Sequence, residues 1–153
     1  MPPGGCGSEP CRVGDNRQVT TSAGGRQEQS FYDAIGGYST IAGIVERFYQ
    51  GVAADEVLRP LYPEEDLTPA QERFTLFLVQ YWGGPSTYSE RRGHPRLRMR
   101  HAPFAVTPRA KEHWLTHFRA GLDEANLTPK LDEQFWHYIT YAAESMVNRL
   151  EEV

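Results

Sequence analysis

The chain contains no run of about 18 apolar residues, the length a helix needs to cross a bilayer, so no membrane span is expected. Its only two cysteines, Cys6 and Cys11, both sit in the N-terminal stretch. Two thiols with no third or fourth partner nearby make an improbable zinc site, and a disulfide between them would close a tiny loop outside any core. No nucleophile elbow, Walker loop, HExxH or paired-cysteine motif occurs. Gly83-Gly84-Pro85 is no phosphate loop, because no Lys-Ser/Thr follows it. No stretch sustains alternation at period two, which excludes an obvious strand. The opening Met1-Pro-Pro-Gly-Gly lacks the basic and apolar segments of a secretory signal, so a cytoplasmic protein is the expectation. A net charge of −4 argues against nucleic acid as the main partner.

What remains is a chain of 153 residues, sized for one domain with a real core. Residues 1–29 are rich in Gly, Pro, Ser, Gln and charge, with Val13 and Val19 as the bulky apolar side chains. Such a segment buries too little surface to offset its ordering entropy, and a disordered tail is expected there. A folded domain is expected over 30–153. It opens with a short helix at Ser30-Phe31-Tyr32-Asp33-Ala34-Ile35, capped by Ser30 and stopped by Gly36-Gly37. Ile41, Ile44, Val45, Phe48 and Val52 recur at three- and four-residue steps and draw the apolar face of a helix over about 39–52, with Tyr49 beside it.

A further turn is expected at Asp55–Leu58, then a proline-rich acidic loop containing Tyr62. Thr68-Pro69-Ala70-Gln71 predicts a helix start with Thr68 as cap and Gln71 completing a capping box. Phe74, Phe77, Leu78 and Tyr81 follow on one stripe. Thr107-Pro108 and Thr128-Pro129 repeat the start signal ahead of two more periodic faces, one with Trp114 and Phe118, one with Phe135, Ile139 and Met146. The expectation is all-α, with four substantial helices and one long connection over about 83–95. Loops of that length in helical domains tend to be functional or disordered.

The segment from Trp82 to Phe104 is the candidate for chemistry. It holds five arginines, Arg91, Arg92, Arg96, Arg98 and Arg100, against one acid, Glu90. Its charge is thus +4, while the rest of the chain sums to −8. It runs into His101, followed by Ala102-Pro103-Phe104. A basic, aromatic-bearing loop ending in one histidine suits an anionic group held beside a metal. His113, His117 and His137 lie within helices among polar neighbours and read as surface or rim residues, and His94 before Pro95 reads as a turn residue. Tyr49, Tyr62 and Trp114 each carry a donor that needs a partner when buried; periodicity alone does not show whether they converge.

These residues resemble a known family. SFYDAIGG at 30–37, RFYQGVAADEVLRPLYPEEDL at 47–67, QYWGGPSTYSERRGHPRLRMRHAPF at 80–104 and HWL at 113–115 are similar to the truncated haemoglobins, specifically the second group, actinobacterial type. The resemblance covers about four-fifths of the chain. It implies a two-over-two sandwich of helices around haem b, with helix pairs over 39–52 and 68–81 and over 108–125 and 129–150. It implies His101 as the axial ligand of the iron and Tyr49, Tyr62 and Trp114 as the distal side. Ala70 takes the place where vertebrate globins put a distal histidine. Phe74 departs from the leucine of many close relatives, crowding the distal pocket. The N-terminal extension is also outside the usual pattern.

Under this resemblance the basic loop meets the haem propionates, with Arg73, Tyr88, Arg98 and Arg100 as candidates. Phe77, Leu78, Trp82, Leu97, Phe104 and Met146 are the apolar contacts to the porphyrin. Converging donors on a ligand that carries charge contribute roughly 1.5–3 kcal/mol each, which slows release about tenfold to a hundredfold. The implied function is reversible binding of O2 and other small ligands such as CO, NO and sulfide. The alternative is redox turnover on the same haem, as an NO dioxygenase or a peroxidase-like enzyme served by a reductase. A helical interaction module without haem is the third reading, and it needs His101 buried and idle.

Overall fold

Helix α2, Tyr38–Ala53, is the element against which the rest is assembled. Ile41, Ile44, Val45, Phe48 and Val52 are fully buried along it, so the apolar face drawn by periodicity is the face that packs. The computed structural model describes residues 29–150; Cys6, Cys11 and residues 1–28 of the tail expected to be disordered lie outside the described residues. Around α2 stand α1 (Phe31–Ile35), a 3-10 turn (Arg59–Leu61), α3 (Thr68–Tyr81), α4 (Thr87–Arg92), α5 (Leu97–His101), α6 (Pro108–Ala125) and α7 (Pro129–Met146). Every regular element among the described residues is helical, as expected.

Helix α2 packs on α6 and on α3, α6 packs on α7, and α5 rests on α7. The approach of α6 to α2 is close enough to need small residues on both sides. A Cβ at Gly121 of α6 would lie 2.7 Å from the Ile44 carbonyl oxygen, and one at Gly51 of α2 would overlap the His117 ring. Glycine there removes the side chain that would hold the helices apart. Phe48, Phe118 and Phe135 are the largest fully buried side chains of the core.

Three boundaries differ from the sequence expectation. Thr68 is not the cap of α3: it lies inside the helix, Leu67 takes the cap position, and no side chain caps there. Asp66 instead accepts the Thr68 N–H at 2.9 Å, because a carboxylate two residues upstream closes a tighter ring than the capping box does. At α6 the expected Thr107 cap is present, its hydroxyl accepting the Ala110 N–H. The connection over 83–95 is not irregular throughout, since α4 folds within it. Finally, α7 ends at Met146 rather than 150. Val147 turns extended, and Asn148 is drawn off to bond the segment after α5.

Candidate functional site

The short helix carrying His101 is built by its own arginines. Arg96 takes a left-handed conformation (φ 44°) just ahead of α5, and the Arg100 side chain folds back to donate to the carbonyls of Pro95 (2.6 Å) and Arg92 (3.0 Å). His101 Nδ1 lies 2.8 Å from the Leu97 carbonyl, one turn back. A carbonyl only accepts, so that nitrogen carries the proton and Nε2 is left with its lone pair. Asn148 clips the following segment from outside. Its Oδ1 accepts the Val106 N–H (3.0 Å) and its Nδ2 donates to the carbonyls of Phe104 (3.0 Å) and His101 (3.2 Å).

A cavity of about 440 Å³ lies between α3, α5 and α7, and one of about 350 Å³ adjoins it between α5 and the end of α7; they share Arg98, Met99, Ser145 and Met146. Phe77, Leu97 and Met146 give the larger one apolar walls, and Tyr81, Tyr138 and Tyr141 border it. Tyr81 and Tyr138 are stacked with centroids 3.9 Å apart, and burial pushes the Tyr138 hydroxyl up to about 12. Arg96 and Arg98 line the same cavity. Arg96 belongs to the basic segment but not to the propionate candidates; the left-handed backbone it adopts leaves no sequence signal.

Tyr49, Tyr62, Phe74 and Trp114 are brought together from α2, the loop after the 3-10 turn, α3 and α6. The Tyr49 and Tyr62 rings meet edge to face at 5.8 Å, and Phe74 lies 5.8 Å from the Trp114 ring. Tyr49 and Trp114 both act on the Tyr62 hydroxyl, and the indole can only donate. Burial raises both tyrosine hydroxyls above their ordinary range. Both are therefore protonated donors at any physiological pH. Ala70 is buried beside them in the core of α3.

The remaining expected residues line neither of the two cavities. Trp82 packs on Phe31 (4.0 Å), Tyr81 (4.8 Å) and Phe135 (5.4 Å), with its indole N–H buried and unpartnered. Tyr88 is buried against Phe77, with Arg92 above its ring. Arg73 pairs with Glu64 at 3.1 Å. Leu78 is fully buried, and Phe104 is half-buried beside the Asn148 clip. Of the five arginines in the basic segment, Arg91 pairs with Glu72 and Arg100 is spent on backbone carbonyls.

His113 and His117, expected at the surface or rim, are partly exposed and serve a structural purpose. Both bond Asp55, whose side chain is 7% exposed: His113 Nδ1 at 2.9 Å and His117 Nε2 at 2.7 Å from Oδ2. Burial alone would raise the Asp55 carboxyl, but these bonds and the backbone N–H groups of Leu58 and Val57 hold it well below the usual carboxylate range. The partners lie 58 and 62 residues away in sequence, beyond any local signal.

Comparison with known proteins agrees with this architecture. Residues 30–148 match the family described as bacterial-like globin. A group 2 truncated haemoglobin of Bacillus subtilis is 37% identical over 126 residues, covering 80% of this chain and 94% of that protein. Among solved structures, a thermostable haemoglobin of the actinobacterium Thermobifida fusca is 59% identical with a TM-score of 0.78, over 78% of this chain and 98% of that one. A truncated oxygen-avid haemoglobin from Bacillus subtilis is 36% identical with a TM-score of 0.74, over 78% of this chain and 100% of that one. The fold is the two-over-two helical globin, and no described helix is long and apolar enough to cross a membrane. The chain belongs to the bacterial-like globin family, in the second group of the truncated haemoglobins, whose members hold haem and bind small ligands on it.

Proposed function

We propose that this globin holds haem b through His101 and binds O2, and other small ligands such as CO, NO and sulfide, reversibly beside Tyr49, Tyr62 and Trp114. The donor set fits such a group. A histidine with its proton committed to Leu97 offers a neutral lone pair for iron. The apolar walls of Phe77, Leu97 and Met146 suit a porphyrin, and Arg96 and Arg98 are the guanidinium groups available to its carboxylates. Arg73 and Arg100 are less suited than the sequence implied, being engaged with Glu64 and with loop carbonyls. Haem supplies the iron that takes a small neutral ligand and polarises it.

The observation that carries the reading is the joined set Tyr49–Tyr62–Trp114. The Tyr49 ring meets Tyr62 at 5.8 Å, and Phe48 touches both Tyr49 and Trp114 at 4.9 Å, so the three polar groups are gathered on one cluster of rings rather than dispersed. Donors gathered in this way hold a partly charged ligand against release. The oxygen-avid relative from Bacillus subtilis supports that direction. Reversible binding needs ferrous iron, so a reductase and a cytoplasmic setting complete the proposal.

The test is an absorbance spectrum of the purified protein before and after dithionite and then oxygen, with His101→Ala alongside. A Soret band that shifts with oxygen and is lost or altered in the variant is expected. Absence of the band even after haemin is added would end the proposal. In the loaded protein, Trp114→Phe is expected to speed oxygen dissociation at least about tenfold. An unchanged rate would remove the indole from the ligand's surroundings.

A further inference from the structure

The Asp55 carboxylate joins two parts of the fold. Oδ1 accepts the backbone N–H groups of Val57 (2.8 Å) and Leu58 (3.0 Å) and closes the turn that follows α2. Oδ2 takes the N–H groups of His113 (2.9 Å) and His117 (2.7 Å), one turn apart on α6, and the His113 N–H also lies 3.2 Å from Oδ1. From the closed turn the chain runs directly to Tyr62. Arg59 N–H bonds the Asp55 carbonyl at 2.9 Å, and the Arg59 guanidinium then holds the carbonyls of Tyr62 (2.9 Å) and Glu64 (2.8 Å). On the other side, His113 immediately precedes Trp114. Asp55 thus ties the turn that leads to Tyr62 to the helix that carries Trp114.

A buried carboxylate is a poor device for stability alone. Replacing a buried polar pairing by apolar residues of similar volume is often neutral or stabilising, so such a group is better understood by what its directionality fixes. Hydrogen bonds hold their distances to a few tenths of an ångström, whereas an apolar contact leaves two helices free to slide. Here the fixed quantity is the position of α6 along α2, one residue away from Trp114. The glycine at position 51 serves the same end, letting the His117 ring lie against α2 where it meets Asp55.

We propose that Asp55 is a positioning residue for the ligand-side donors: gripping α6 through His113 and His117, it sets the placement of the Trp114 indole against the Tyr62 hydroxyl. This rests on the reading of those residues as the ligand pocket. The double variant His113→Phe/His117→Phe keeps both rings and removes both donors, whereas His113→Gln/His117→Gln keeps a donor at each place. Asp55→Ser retains a short acceptor for the turn but nothing that reaches the histidines.

The readouts on the haem-loaded protein are the C–O stretching band of the CO complex and the oxygen dissociation rate. The Phe pair and Asp55→Ser are expected to broaden the band and move it to higher wavenumber, and to speed oxygen release about threefold to tenfold, equivalent to part of one hydrogen bond. The Gln pair is expected to stay near wild type. In a Trp114→Phe background Asp55→Ser is expected to add nothing. Should the Phe pair fail to fold, Asp55→Ser decides. Wild-type band and rate in Asp55→Ser, with Trp114→Phe altered, would overturn the positioning role alone. Wild-type values in Trp114→Phe as well would overturn the pocket reading with it.

Discussion

Gly51 of α2 and His117 of α6 are in such close register that the missing side chain of one is filled by the imidazole of the other. The contact lies where the two most extensively packed helices cross. Gly51→Ala therefore forces α6 outward or breaks the His117 bond to Asp55. Overpacking of this kind costs roughly 1–3 kcal/mol, only partly returned by the better helix propensity of alanine. Urea denaturation is expected to show that loss. A variant as stable as wild type would show that α6 yields without cost.

Phe74 touches four rings, with centroids 5.6 Å from Phe48, 6.4 Å from Tyr49, 5.8 Å from Trp114 and 5.9 Å from Phe118. Phe74→Leu removes volume from the middle of this cluster and leaves a partial cavity. A stability loss of about 1–2 kcal/mol is expected by comparison with other large-to-small core changes. Under the proposed function the same change opens the approach to the pocket, so CO association in flash photolysis is expected to be faster than in wild type. A slower or unchanged rate would place the obstruction to ligand entry elsewhere.

Helices with one-sided apolar faces are legible in the sequence, because burial of a stripe is what periodicity reports. Helix α2 is the example: its five expected core residues are each at most 1% exposed. The helix start at Thr107 is legible for the same local reason, since the capping hydroxyl and its N–H lie three residues apart. The misassigned Thr68 cap shows the limit: Asp66 and Thr68 offer rival local bonds, and sequence does not rank them. The arginine-rich segment announces positive charge but not its use. Arg100 turns inward to carbonyls while Arg96 and Arg98 line the cavity, a division set by the backbone at Arg96. Asp55 with His113 and His117, and Asn148 with Phe104, are contacts between distant segments made by polar groups, which leave no periodic trace.

Asn148 illustrates how such a contact can be checked. Its amide is oriented unambiguously, because Oδ1 faces an N–H donor while Nδ2 faces two carbonyls. Asn148→Ala leaves the Val106 N–H without that acceptor. Since one net hydrogen bond contributes about 0.5–1.5 kcal/mol, exchange of the Val106 amide is expected to quicken about threefold to tenfold. Under the proposed function, the iron–histidine stretching band of the haem-loaded protein is expected to broaden as the segment after His101 loosens. Unchanged exchange at Val106 would show that the backbone bonds of residues 148 and 149 to the Val106 carbonyl suffice to hold the clip.

The Asp55 carboxyl supplies a prediction in pH. Its hydrogen bonds lower it in the folded chain relative to an ordinary value of about 3.9 when unfolded. The unfolded state therefore binds the proton more readily, and acid favours unfolding. The stabilisation from the ionised group is fully present above the unfolded value and is lost as pH falls through the folded one. The stability difference between wild type and Asp55→Ser, measured by urea denaturation, is expected to narrow progressively as pH falls below about 4. Asp55→Ser removes the titrating group, so its own stability carries no part of that slope. A difference that stays constant down to about pH 3 would mean that the histidines grip Asp55 equally well when it is protonated, and that directionality rather than charge holds α6 in place.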